Sequence, residues 1–127
     1  MLKTIFYIGI GGAIGSILRY FTALLVGKYW NSSFPLATLI TNLLGCFLIG
    51  LFVGYLEKYD LTNTNVKWFL VTGVCGGYTT FSTFGLENYT LLQNQNSFIS
   101  LLYIGLSIFL GILGVGFGLF SAKYLGI

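Results

Sequence analysis

Four long apolar stretches, separated by short polar breaks, leave this chain few folds to choose from. A helix that crosses a bilayer needs about 20 mostly apolar residues. Such stretches run roughly from Thr4 to Val26, from Leu36 to Leu56, from Trp68 to Leu92 and from Phe98 to Tyr124. Only 7% of the 127 residues are charged, whereas a soluble domain carries about 25%. Too few charges remain to build a surface that meets water, and lipid is the solvent that accepts such a chain. The expectation is an all-α integral membrane protein: four transmembrane helices forming a single unit over residues 1–127. Lys3 followed by an apolar run could imitate a signal peptide. That run is too long, however, no polar mature region follows it, and it reads as a retained first membrane helix.

What is missing narrows the chemistry. The chain has no histidine, hence neither the commonest general base nor the commonest metal ligand. Cys46 and Cys75 lie inside apolar stretches, with no spacing that suggests zinc or a disulfide framework, and read as small packing residues. There is no Ser/His/Asp or Cys/His set, no carboxylate pair and no phosphate loop. GIGGAIG at 9–15 looks like a GxGxxG box but does not join a strand to a helix, so its glycines read as helix packing. The net charge of +3 is spread thinly, and no basic run suggests nucleic acid.

Pro35 stands where the second helix can start, and EKYDLTNTNVK is the one clearly soluble piece. With the N-terminus inside, Lys3, Lys58, Lys67 and Lys123 are cytoplasmic, while Arg19 and Lys28 point outward. Four against two is a weak positive-inside bias, compatible with one orientation or with both. Gly50, Gly54, Gly111, Gly114 and Gly118 recur at helical spacing, which lets backbones approach closely and predicts a tight bundle.

The third stretch differs from the others. VTGVCGGYTTFSTFGLENY places three glycines ahead of a run of hydroxyl residues. Non-helical backbone at membrane depth is tolerated only inside protein or along a wet cavity. A break is therefore expected near Gly76-Gly77-Tyr78-Thr79, the alternative being close glycine packing between unbroken helices.

Polar residues within a membrane are expensive, so each is a candidate for function. Thr38 and Asn42 share a face of the second helix, and Asn42 reads either as a site residue or as interhelical glue. Phe81 and Phe84 share a face of the third, surrounded by Thr80, Ser82 and Thr83. An aromatic edge turned toward such a polar path offers an anion weak attraction without a full charge. Tyr103 and Ser107 form a row on the fourth helix that Gly111 continues, unless the serine hydroxyl bonds back to its own helix. Arg19 either snorkels to the interface or attracts anions from a vestibule. Glu87 is either a possible pore acid or an interfacial charge.

These motifs resemble the Fluc/CrcB fluoride channels. The matching pieces are GGAIGSILRY at 11–20, PLATLITNLLGCFLIG at 35–50 and GVCGGYTTFSTF at 73–84, in family order; the fourth helix matches by pattern. The resemblance implies an antiparallel dual-topology dimer with two pores that exports fluoride passively across the cell membrane, the inner membrane of a bacterium. It implies that Phe81 and Phe84 line the fluoride path, that Asn42 is the pore asparagine with Thr38 beside it, and that Tyr103 and Ser107 continue the polar track. Members often carry another serine one turn on, where this chain has Gly111. The resemblance places Arg19 near the vestibule and Glu87 as the acid after the phenylalanine pair. It also implies a structural sodium ion at the dimer centre, held by backbone carbonyls at Gly76 and Thr79. The partner is an identical chain or a related subunit of opposite orientation, and lipid surrounds both. A small dual-topology, proton-coupled drug transporter is the alternative, but it would want a glutamate in the first helix, where this chain has Arg19. A non-transporting membrane subunit is a third reading.

Overall fold

The computed structural model describes residues 1–124. Helix α1 spans Leu2–Tyr29, α2 spans Leu36–Lys58 and α6 spans Ser97–Tyr124. These three are long and apolar enough to cross a membrane. α1 extends past both of its sequence-predicted ends, α2 past its C-terminal end and α6 by one residue at its N-terminal end, because the polar residues that flank an apolar run still join the helix and satisfy its backbone. Pro35 precedes α2, where its missing N–H costs nothing, and its carbonyl accepts from the Leu39 N–H at 3.1 Å.

The third apolar stretch is divided. A continuous helical run from residue 65 to residue 78 comprises α3 (Asn65–Lys67), a π-helical segment (Trp68–Cys75) and α4 (Gly76–Tyr78). Thr79 and Thr80 are extended, with ψ of 158° and 113°, and α5 (Phe81–Gln93) follows. The helix therefore breaks where expected, at the last residue of the predicted region, Thr79, and the Thr80 that follows. Gly76 and Gly77 stay helical, and the break falls on the hydroxyl pair after Tyr78.

The glycines of this stretch serve packing. Gly11 and Gly15 of α1 lie against the backbone of Phe69, Gly73, Val74 and Gly77. A Cβ on Gly73 would come within 2.8 Å of the Gly11 Cα. The expected break holds and the alternative of unbroken helices does not, although the glycines ahead of the break do pack closely. Along a second seam, Gly50 meets the Val115 carbonyl and Gly118 meets the Phe47 carbonyl, so α2 and α6 run parallel in close contact. Of the GIGGAIG glycines, Gly11 and Gly15 pack as read, while a Cβ on Gly9 or Gly12 would have nothing within 4 Å; the Gly50/Gly118 reading is what the backbone shows.

The burial pattern is inverted relative to a water-soluble protein. Thr41, Ser100 and Ser121 are buried, while Phe6, Phe21, Phe109 and Phe117 face outward. Lipid tails reward an apolar exterior, and small or polar side chains let helices approach. The protein is a multi-pass membrane protein built on these helices.

Candidate functional site

Breaking a helix in an apolar medium frees backbone groups that must be paired. At Thr79–Thr80 the pairing comes from two other helices. The Asn42 side-chain amide, from α2, takes both backbone groups of Thr80: its Oδ1 accepts from the Thr80 N–H at 2.8 Å and its Nδ2 donates to the Thr80 carbonyl at 3.2 Å. Arg19, from α1, donates through Nη1 to the Thr79 carbonyl at 3.2 Å. Tyr78 is fixed just before the break, its hydroxyl 3.0 Å from the Thr22 Oγ1. With the Thr80 N–H turned to Asn42, the Gly76 carbonyl loses the donor that a continued helix would supply four residues on.

Thr80 also caps α5. Its Oγ1 accepts from the Thr83 N–H at 3.3 Å and donates to the Thr83 Oγ1 at 3.0 Å. The Thr83 hydroxyl proton is thereby left uncommitted. Ser82 Oγ lies 3.4 Å from the Thr80 hydroxyl, and Ser82 and Thr83 are both exposed.

One turn further along α5, Glu87 joins two helices. Thr38 donates to its Oε1 at 2.7 Å and the Tyr103 hydroxyl donates to its Oε2 at 2.8 Å. Tyr103 is fully buried and stacks edge-on to Phe84, ring centroids 5.0 Å apart. Phe84 in turn lies 5.7 Å from Phe81, whose ring is 84% exposed. Ser107 follows Tyr103 on α6, and its buried Oγ has no hydrogen-bond partner among the described residues. It does not bond back to its own helix. Gly111 continues the row, and a Cβ there would touch the Cys46 Sγ at 3.4 Å.

Two clefts border this array. One, of about 340 Å³, is lined by Ser16, Arg19, Thr38, Thr41, Thr80 and Thr83, with guanidinium and hydroxyl groups as its chemistry. The other, of about 290 Å³, includes Asn42, Cys46, Cys75, Gly76, Thr79 and Phe81; both cysteines are free.

The structure thus gathers Asn42, Thr80, Ser82 and Thr83 at the break, and Thr38, Glu87, Tyr103 and Phe84 a turn away. Arg19 does not snorkel to an interface; it turns inward to the break. Ser16 and Thr41 were not legible as cleft residues, because each looks in sequence like an ordinary hydroxyl in a membrane helix. The Thr41 hydroxyl indeed bonds its own helix, at the Ala37 carbonyl, 2.8 Å away.

Residues 6–119 match the family model described as CrcB-like protein, Camphor Resistance (CrcB). The chain is 55% identical over 124 residues to a protein of Flavobacterium psychrophilum named fluoride-specific ion channel FluC, covering 98% of this chain and 100% of that one. It is 47% identical to a protein of the same name from Azobacteroides pseudotrichonymphae, with 98% and 99% covered. A third of that name, from Campylobacter fetus, is 47% identical with 94% of each chain covered.

Proposed function

The chain belongs to the CrcB family, and from that membership we propose that it is a subunit of a fluoride-selective channel that lets the ion leave the cell passively. The observation that carries the mechanism is the clamped break at Thr79–Thr80. It presents the N-terminus of α5, with its partial positive charge, at membrane depth. Beside the Arg19 guanidinium, the other donors around it carry no full charge. The hydroxyl protons of Thr83 and Ser107 are not spent on acceptors among the described residues. The edges of Phe81 and Phe84 add a weak positive field. Such donors replace the water of a small anion yet hold it loosely enough to release it. Glu87 stays bonded to Thr38 and Tyr103, which keeps its negative charge engaged beside the path.

In this reading α3, the π-helical segment, α4 and α5 together make the third of four crossings. A single chain leaves Phe81, Ser82 and Thr83 uncovered, so two chains, antiparallel in the membrane, complete the path. The pair is of identical chains or of this chain with a related one, in the plasma membrane, which is the inner membrane of a bacterium. A sodium ion at the centre of the pair fits the Gly76 carbonyl, which has lost its helical donor and lines a cleft. A freed carbonyl is a hard ligand suited to a hard cation. The Thr79 oxygen offers only the lone pair that its bond to Arg19 leaves.

The test is efflux from liposomes that contain only the purified chain, read with a fluoride electrode beside a chloride-loaded control. Rapid release of fluoride without chloride is the expected result. Release of neither ion from folded protein, persisting when a sister subunit is co-expressed, rules the channel out.

A further inference from the structure

We infer that Arg19 is a positioning residue whose charge cancels the negative end of the broken helix, so that the break presents a net positive field to the anion. The inference rests on the channel reading above and concerns how the break, rather than the cleft mouth, favours negative charge.

The geometry begins with two helix ends that face the same gap. The helical run from residue 65 to residue 78 ends at the break, and α5 begins there. Aligned peptide dipoles place roughly half a negative charge at a helix C-terminus and roughly half a positive charge at an N-terminus. Left alone, the two ends of a broken helix oppose each other, and an anion at the gap meets little net field. Here the negative end is covered. Arg19 donates to the Thr79 carbonyl, the residue that closes the helical run, at 3.2 Å. The positive end of α5 stays uncovered by any cation, its first turn carrying only the hydroxyls of Thr80, Ser82 and Thr83.

Nothing on the neighbouring elements competes for Arg19. Its partner is a carbonyl oxygen and not a carboxylate. The residues around it in the cleft are Ser16, Tyr20, Thr38, Thr41, Thr80 and Thr83, none of them acidic. Glu87, the acid of α5, is engaged by Thr38 and Tyr103. A guanidinium paired with a neutral carbonyl keeps its whole charge, and that charge acts at short range in a medium of low dielectric.

Two mechanisms for an arginine beside an anion path are thus separable. Attraction of anions toward a wet cleft is a long-range effect. It weakens as the Debye length falls from about 30 Å at 0.01 M salt to about 8 Å at 0.15 M. Cancellation of a helix end through a direct hydrogen bond is screened far less.

The experiment compares fluoride efflux from liposomes that hold the wild-type chain, Arg19→Gln or Arg19→Lys, at about 0.01 M and about 0.15 M of an inert impermeant salt. Glutamine keeps a donor for the Thr79 carbonyl and loses the charge; lysine keeps the charge and a donor. The expected result is that Arg19→Gln slows efflux roughly tenfold, by the same factor at both salt concentrations, equivalent to about 1.4 kcal/mol. Arg19→Lys is expected to stay within about threefold of wild type, a rescue that a purely structural role would not give. A deficit in Arg19→Gln that disappears at the higher salt overturns the proposal in favour of steering. Equal efflux from Arg19→Gln and wild type overturns it too. Should Arg19→Gln fail to fold, Arg19→Lys decides: a folded lysine variant as slow as a tenfold loss overturns the role of charge. Absence of wild-type flux, by contrast, tells against the channel reading itself.

Discussion

At the scale of the residue, Asn42 is the side chain on which the break depends. Its amide is both acceptor and donor, and Thr80 uses both. Asn42→Asp keeps the acceptor for the Thr80 N–H but sets a second acceptor against the Thr80 carbonyl. Asn42→Ala leaves both groups unpaired, and each orphan costs about 1–3 kcal/mol when buried. Both variants are expected to melt well below wild type in detergent and to lose fluoride flux. The flux of Asn42→Asp should be the lower of the two, because it adds negative charge beside the anion. An aspartate variant with wild-type melting and flux would show that the amide donor does nothing. Ser107 makes the opposite case. Its hydroxyl is buried without a partner among the described residues, so Ser107→Ala removes an unsatisfied group and is expected to raise stability by about 1 kcal/mol. If the hydroxyl serves a passing anion, that gain comes with slower efflux, the usual trade between stability and function at a site. Thermal unfolding and efflux measured on the same preparation test both halves.

At the scale of the element, close helix approach sets what each glycine tolerates. Gly116 and Gly118 stand two residues apart on α6 and face opposite ways. A Cβ on Gly118 would run into the Phe47 carbonyl, whereas one on Gly116 has nothing within 4 Å. Gly118→Ala should therefore destabilise by about 1–3 kcal/mol as overpacking does, while Gly116→Ala should be neutral or better through helix propensity. Chemical or thermal unfolding of the two variants measures the contrast. Elements of this kind were largely legible in the sequence: apolar runs located α1, α2 and α6, and glycine spacing located the seams. The position of the break was legible to within a few residues. Local propensity pointed to Gly76-Gly77-Tyr78-Thr79, and the groups that fix it at Thr79 and Thr80 are Asn42 and Arg19, from α2 and α1, which pair the freed backbone there. The π-helical segment Trp68–Cys75 was equally hidden. It lies where the backbones of α1 and this segment touch at Gly11, Gly15 and Gly73, a contact no local pattern spells out. Glu87 was visible as a candidate, but its two donors come from Thr38 and Tyr103, so its role in joining three helices required the fold.

At the scale of the whole molecule, the question is what covers the start of α5. Phe81 would sit comfortably in lipid; Ser82 and Thr83, also exposed in a single chain, would not. A hydroxyl directed at lipid gains nothing there, and a leucine in its place improves partition into the bilayer by a sizeable fraction of a kcal/mol. A hydroxyl that faces a partner chain or a wet path behaves differently, because a leucine then intrudes on a packed or polar surface. Ser82→Leu therefore separates the two surroundings. If Ser82 faces lipid, the variant should express and melt at least as well as wild type and conduct normally. The antiparallel pair requires the reverse: native mass falling from about two copies of the 14.0 kDa chain toward one, or a pair that survives with its efflux lost. Leu86→Ser is the comparison, one turn further along the same helix at a side chain that is 66% exposed. There the polar substitution should lower expression, since leucine suits lipid and serine does not, and the surviving protein should still pair. Normal expression, mass and flux from Ser82→Leu would place Ser82 in lipid and not against a partner chain or a wet path.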